Sequence, residues 1–71
     1  MTKPHDEQLD DLVWEHLQKI GILIRPEIVK GEFWHKADGY WWRWVRVYIG
    51  GGKTVRRCYR VNDDLTVERM V

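Results

Sequence analysis

Trp42, Trp44, Arg46 and Tyr48 occupy alternate positions of one unbroken aromatic run, and Lys53, Arg56 and Arg60 follow it after three glycines. Flat π surfaces beside cations are the two ingredients of single-strand nucleic-acid binding, where stacking contributes about 1–3 kcal/mol per base. In that chemistry Trp42, Trp44 and Tyr48 stack bases, while Arg46, Lys53, Arg56 and Arg60 hold phosphates. Trp, Tyr and Arg also dominate the energetics of protein interfaces. The same seven residues are therefore the candidate site for single-stranded DNA or RNA, or alternatively for a protein partner or a second copy of the chain.

Other reactive residues assemble into nothing comparable. His5, His16, His35 and Cys58 are too scattered to match a zinc-ligand spacing. Arg56 and Arg60 flank Cys58, and nearby cations favour a thiolate, but no histidine stands at a spacing that would make it a base for that sulfur. Gly50-Gly51-Gly52-Lys53-Thr54 lacks the full phosphate-loop spacing and lies between strand-like segments, so it reads as a turn. Asp10-Asp11 and Asp63-Asp64 read as solvated carboxylates on a helix face and in a turn. The sequence supplies no catalytic residue, metal ligand or cofactor site, and the expectation is a small non-enzymatic binding protein.

The elements that must position the candidate residues follow from periodicity. Met1–His5 reads as a loose terminus. Leu9, Leu12, Val13, Leu17 and Ile20 recur at helical spacing, with acids early and Lys19 late, as the helix dipole favours. A helix over 6–20 is predicted, with Asp6 as N-cap and Gly21 as the C′ residue. Segment 26–34 is ambiguous: Pro26 suits the first turn of a helix, yet an extended path fits equally. Glu32-Phe33-Trp34-His35 then opens a strand. Turns at Ala37-Asp38-Gly39, Gly50–Gly52 and Asn62–Asp64 join four strands into an antiparallel meander over 32–71.

Register follows from keeping apolar residues on one face. Three-residue loops at Gly50–Gly52 and Asn62–Asp64 pair Val47 with Val55, Arg43 with Tyr59, Trp41 with Val61, Val61 with Leu65 and Tyr59 with Val67. They gather Trp41, Val45, Val47, Ile49, Val55, Tyr59, Val61, Leu65, Val67 and Val71 on an inner face. The predicted fold is thus α+β: an N-terminal amphipathic helix on one face of a four-stranded antiparallel β-meander, forming a single small domain over 1–71. Arg43, Arg57 and Arg69 share the helix side, and an unpaired buried charge is costly. They are expected at the edge of the helix footprint, reaching Asp10, Asp11 or Glu15.

The outer face keeps Tyr40, Trp42, Trp44, Arg46 and Tyr48 beside Thr54, Arg56, Cys58 and Arg60, joined by either Phe33 or Trp34. One helix cannot cover both faces of a sheet, and a large exposed aromatic patch marks an interaction site. Arg46 opposite Arg56 sets like charges across a strand pair, which is unfavourable unless an anion bridges them. Three other fates remain open for this face: arginines stacked on the rings as cover, segment Ile22–Val29 folded over it, or two sheets meeting face to face.

Charge and composition fit a binding role. Residues 1–29 carry three Lys/Arg against six Asp/Glu, and residues 30–62 carry eight against two. A basic middle after an acidic start points to an anionic partner, or to neutralisation of the sheet by the helix. The single cysteine forms no internal disulfide and suits a reducing, cytoplasmic setting. No signal-peptide pattern and no membrane-length apolar run is present. A winged helix-turn-helix arrangement fails on its recognition helix, since Pro26–Trp34 is short, contains Gly31 and offers only Lys30 as a basic residue.

Overall fold

In a computed structural model that describes residues 4–71, one N-terminal helix packs against a four-stranded antiparallel open sheet, the α+β fold expected. The elements are α1 (Asp6–Lys19), β1 (His35–Ala37), β2 (Tyr40–Gly50), β3 (Lys53–Asn62) and β4 (Val67–Arg69), and the strands lie in sequence order. Met1–Lys3, part of the segment read as a loose terminus, fall outside the described residues.

The apolar stripe of α1 buries Leu9, Val13 and Leu17. The N-cap is His5 instead of Asp6; its backbone is extended, its carbonyl accepts from Leu9 N–H, and no side chain caps the end. The helix ends at Lys19, one residue short of the expected limit of 20, and closes as foreseen at Gly21. Gly21 has φ +94°, its N–H donates to the Gln18 carbonyl, and Ile22 N–H donates to the Leu17 carbonyl. Those two bonds are a Schellman motif, which needs a residue at positive φ. Ile20, counted in the core stripe, is exposed there.

Strand β2 is long because ten consecutive residues, Tyr40–Ile49, are aromatic, β-branched or Arg, with no breaker among them. Its pairing with β3 follows the expected register, Trp41 with Val61, Arg43 with Tyr59, Val45 with Arg57 and Val47 with Val55. The loop differs. Gly50 pairs with Lys53, Gly51 and Gly52 turn at φ +59° and +70°, and Ile49 is the irregular residue beyond Tyr48. A two-residue turn with positive φ at both positions matches strand twist, and the bulge restores the register that a three-residue loop would give.

The third turn moves its strand by two residues. Val61 pairs with Val67 and Tyr59 with Arg69, and Asn62 N–H donates to the Thr66 carbonyl across Asp63, Asp64 and Leu65. An even shift preserves which side chains face inward, so Val67 still packs on the core while Leu65 becomes an exposed turn residue at φ +68°. The local bonds explain the choice: Asp64 Oδ1 accepts from the Thr66 amide and hydroxyl, and Asn62 Nδ2 donates to Thr66 Oγ1.

Leu9, Val13 and Leu17 meet Trp41, Val45, Val47, Tyr59 and Val61 to form the core, with Leu12, Trp14, Ile22, Val55 and Val67 packed against it. Ile49 and Val71, also assigned inward, are exposed. The strand expected over Glu32–His35 begins only at His35, and 26–34 holds no helix, only an isolated bridge at Glu27.

Candidate binding surface

Helix α1 lies over β3 and β4, and the inner face towards β1 is closed by different groups. Trp34 is buried there, and its indole Nε1 donates to Asp10 Oδ1 at 2.9 Å. Arg43, placed by expectation at the margin of the helix footprint, is only 5 % exposed. Its guanidinium stands 3.6 Å from Asp10 Oδ1 and donates to the Glu32 carbonyl at 2.6 Å, while its Nε has no partner. Asp10 is thus the acid the sequence proposed for it. Burial raises the Asp10 pKa above the ordinary carboxyl value, outweighing the Trp34 hydrogen bond and the Arg43 charge that pull it down. Arg57 and Arg69 do not reach the helix acids; Arg57 donates to the Tyr59 hydroxyl at 3.4 Å, and Asp11 pairs instead with Arg25 at 2.5 Å.

On the other face the strand pairing brings the candidate residues together. Trp42 lies opposite Arg60, Trp44 opposite Cys58, Arg46 opposite Arg56 and Tyr48 opposite Thr54. Cys58 exchanges backbone bonds with the Met70–Val71 side of the sheet. By alternation these four are therefore the non-hydrogen-bonded pairs, whose side chains stand closest. Trp42, Trp44, Arg46, Tyr48 and Arg60 are half-buried, Arg56 and Lys53 are exposed, and Phe33, not Trp34, is left on the surface.

Intramolecular partners occupy most of this face. His35 stacks on Trp42 with ring centroids 4.4 Å apart, the Arg56 guanidinium lies 4.8 Å from the Trp44 ring centre, and that of Arg60 lies 3.7 Å from Tyr40. The like-charged pair is resolved by two carboxylates: Arg46 meets Glu27 at 3.4 Å, and Arg56 meets Glu32. Arg60 stands 3.6 Å from Glu68. Of the cations assigned to the site, only Lys53 has no counter-charge among the described residues.

Glu27 and Glu32 come from a segment whose importance the sequence left open. Residues 20–34 form a strap along the β2 edge beyond the short β1. Pro26 is buried, and Glu27 and Arg46 exchange both backbone hydrogen bonds, at 2.9 and 3.2 Å. The strap carries Ile20, Leu23, Ile24, Ile28 and Phe33, five of the nine exposed large hydrophobics among the described residues, with Leu23 87 % and Phe33 65 % exposed. Gly21, Ile22, Leu23 and Ile24 meet Tyr48, Ile49 and Gly50 around an open notch of about 220 Å³. The apolar strap and the aromatic strand are thus one continuous surface. The sequence left segment 22–29 folding over the outer face as one of several fates. The segment instead pairs with the β2 edge at Glu27, a path that no periodicity marks, although Ile22-Leu23-Ile24 and Ile28-Val29 around a proline are more apolar residues than one helix and one sheet face require.

Cys58 does not carry the lowered thiol pKa its flanking arginines suggested. It is buried, its Sγ sits 3.9 Å from Met70 Sδ, and desolvation raises its pKa despite a backbone hydrogen bond that lowers it. Among the described residues no cluster of three or more His, Cys, Asp or Glu is placed to hold a metal, and no helix is long and apolar enough to cross a membrane. Comparison with protein-family models, curated proteins and solved structures gives no match for this chain.

Proposed function

We propose that this chain is a non-enzymatic protein-binding module whose interface joins the outer aromatic face of β2 to the strap beside it. The observation that carries this reading is the continuity of the two at Tyr48, where exposed Leu23, Ile24 and Ile49 adjoin the Trp–Arg row. Aromatic and arginine side chains beside a contiguous apolar patch are the composition of an interface centre, where unpaired charge is depleted. Arg46, Arg56 and Arg60 fit that pattern, since each already has a carboxylate partner.

The nucleic-acid alternative asks more of the same residues. Bases would have to displace His35 from Trp42 and Arg56 from Trp44, and phosphates would compete with Glu27 and Glu32. The test is affinity capture with the immobilised chain and with Leu23→Ser/Tyr48→Ser, both after nuclease treatment, beside direct titration with single-stranded oligonucleotides. A discrete protein retained by the native surface, and lost in the double variant, is the expected result. Oligonucleotide binding at micromolar protein that weakens steeply with salt would transfer the surface to nucleic acid.

A further inference from the structure

The strap touches the candidate surface without belonging to the sheet, and its backbone attachment to β2 is thin. Between Ile22 and Glu32 it is held to the sheet by one isolated bridge and by contacts of Glu27 and Glu32 with arginines, with Pro26 buried. On the helix side it is held by the Arg25–Asp11 ion pair and by Ile22, which packs against the core. Alternation turns the backbone groups of Trp44 and Tyr48 to the same edge as those of Arg46. Among the described residues, no backbone hydrogen bond is formed there except at Arg46. The edge therefore has the donors and acceptors of a paired strand and uses one residue's worth of them.

We propose that the β2 edge takes up an extended segment of a partner protein by strand addition, the segment bringing two carboxylates to Arg46 and Arg56 and displacing the strap. The inference rests on the protein-binding reading above and names the partner's chemistry. The strap shows in cis what the edge accepts. Glu27 presents a backbone pair and a carboxylate to Arg46, Glu32 presents a carboxylate to Arg56, and the aliphatic residues Ile28 and Val29 lie between them, with Ile22, Leu23 and Ile24 before them. Backbone exchange is peptide chemistry, which a phosphodiester cannot supply, and strand addition is an established mode of peptide capture. Arg46 and Arg56 face each other across β2 and β3, so their mutual repulsion is relieved only while carboxylates stand over them. A partner segment that brings its own carboxylates makes the exchange nearly neutral in charge and releases Leu23, Ile24 and Phe33 to pack elsewhere.

The probe is a synthetic peptide of residues 22–33, capped at both ends and titrated in trans against the full chain, with amide shifts of Trp44, Arg46 and Tyr48 as readout. In the unmodified chain the attached strap competes, so apparent affinity is reduced by the fraction of open edges. The Glu27→Gln/Glu32→Gln variant weakens that competitor and is expected to bind the peptide about tenfold more tightly, as two partly exposed ion pairs would give. Replacing both peptide glutamates by glutamine, or adding Arg46→Gln/Arg56→Gln to the loosened variant, whose strap no longer uses those arginines, is expected to lower affinity by about tenfold or more. Unchanged affinity in the loosened variant, equal binding of Glu and Gln peptides, or a single-stranded oligonucleotide that displaces the peptide at lower concentration would each overturn the proposal. Protein capture that depends on Leu23 and Tyr48 while these peptide experiments are silent would leave the binding module standing and remove the strand-addition mode.

Discussion

Among single residues, Asp10 is the one whose loss should reach furthest. It accepts from the Trp34 indole and faces the nearly buried Arg43, so one carboxylate joins helix, strap end and sheet. Removing one partner of a buried ion pair leaves an uncompensated charge, and Asp10→Ala is expected to cost about 2–4 kcal/mol in denaturant unfolding. Asp10→Asn keeps an acceptor for Trp34 and should be milder. Its pH dependence has a definite sign. Because the folded-state pKa is raised, the native state holds the Asp10 proton more firmly than the unfolded chain. That contribution is full below the ordinary carboxyl pKa and is lost as pH rises through the raised value. The stability gap between the native chain and Asp10→Asn should therefore widen on acidification from pH 7 towards the ordinary carboxyl range; a gap that narrows would mean the Arg43 charge outweighs burial. The sequence named Asp10 as one of three acids available to Arg43. It could not place Trp34 in the same cluster, because that depends on where the irregular strap delivers the chain to β1.

At the scale of elements, strand pairing was legible and strand ends were not. The β2–β3 register follows from one requirement, that Trp41, Val45, Val47, Tyr59 and Val61 share a face, and a long strand offers many positions at which to meet it. The third turn offers few, and there Asn62, Asp64 and Thr66 bond among themselves and override the apolar pattern. The result leaves Leu65 at φ +68°, where a side chain with Cβ is disfavoured. Leu65 is exposed, so little burial is lost on replacement. Leu65→Gly or Leu65→Asn is accordingly expected to raise stability by about 0.5–1 kcal/mol, read as a higher denaturant midpoint at unchanged m. The opposite sign is expected at the helix end, where Gly21→Ala places a Cβ at φ +94° and should cost about 1 kcal/mol.

For the whole molecule, the central fact is that so short a chain keeps nine large hydrophobics on the surface among the described residues, five of them on the strap. A domain of this size has little stability to spare, because a small core rarely supplies more than about 3–5 kcal/mol. Exposed apolar side chains with no folding role are then a liability unless something else covers them. The two-face division of β2 was readable from alternation, and so was the excess of aromatics on the outer face. What alternation cannot show is that the chain supplies its own carboxylates to that face, since Glu27 and Glu32 lie in a segment without a period. Folding and binding should consequently separate in mutagenesis. Leu23→Ser and Phe33→Ser remove exposed side chains and are expected to change unfolding free energy by less than about 0.5 kcal/mol, as for ordinary surface sites. Val45→Ala and Leu17→Ala empty the core and should cost roughly 2–4 kcal/mol, enough to unfold much of a marginal domain. If the strap variants prove as destabilising as the core ones in thermal melts, the strap hydrophobics belong to the fold, and the surface they form would have no partner to explain.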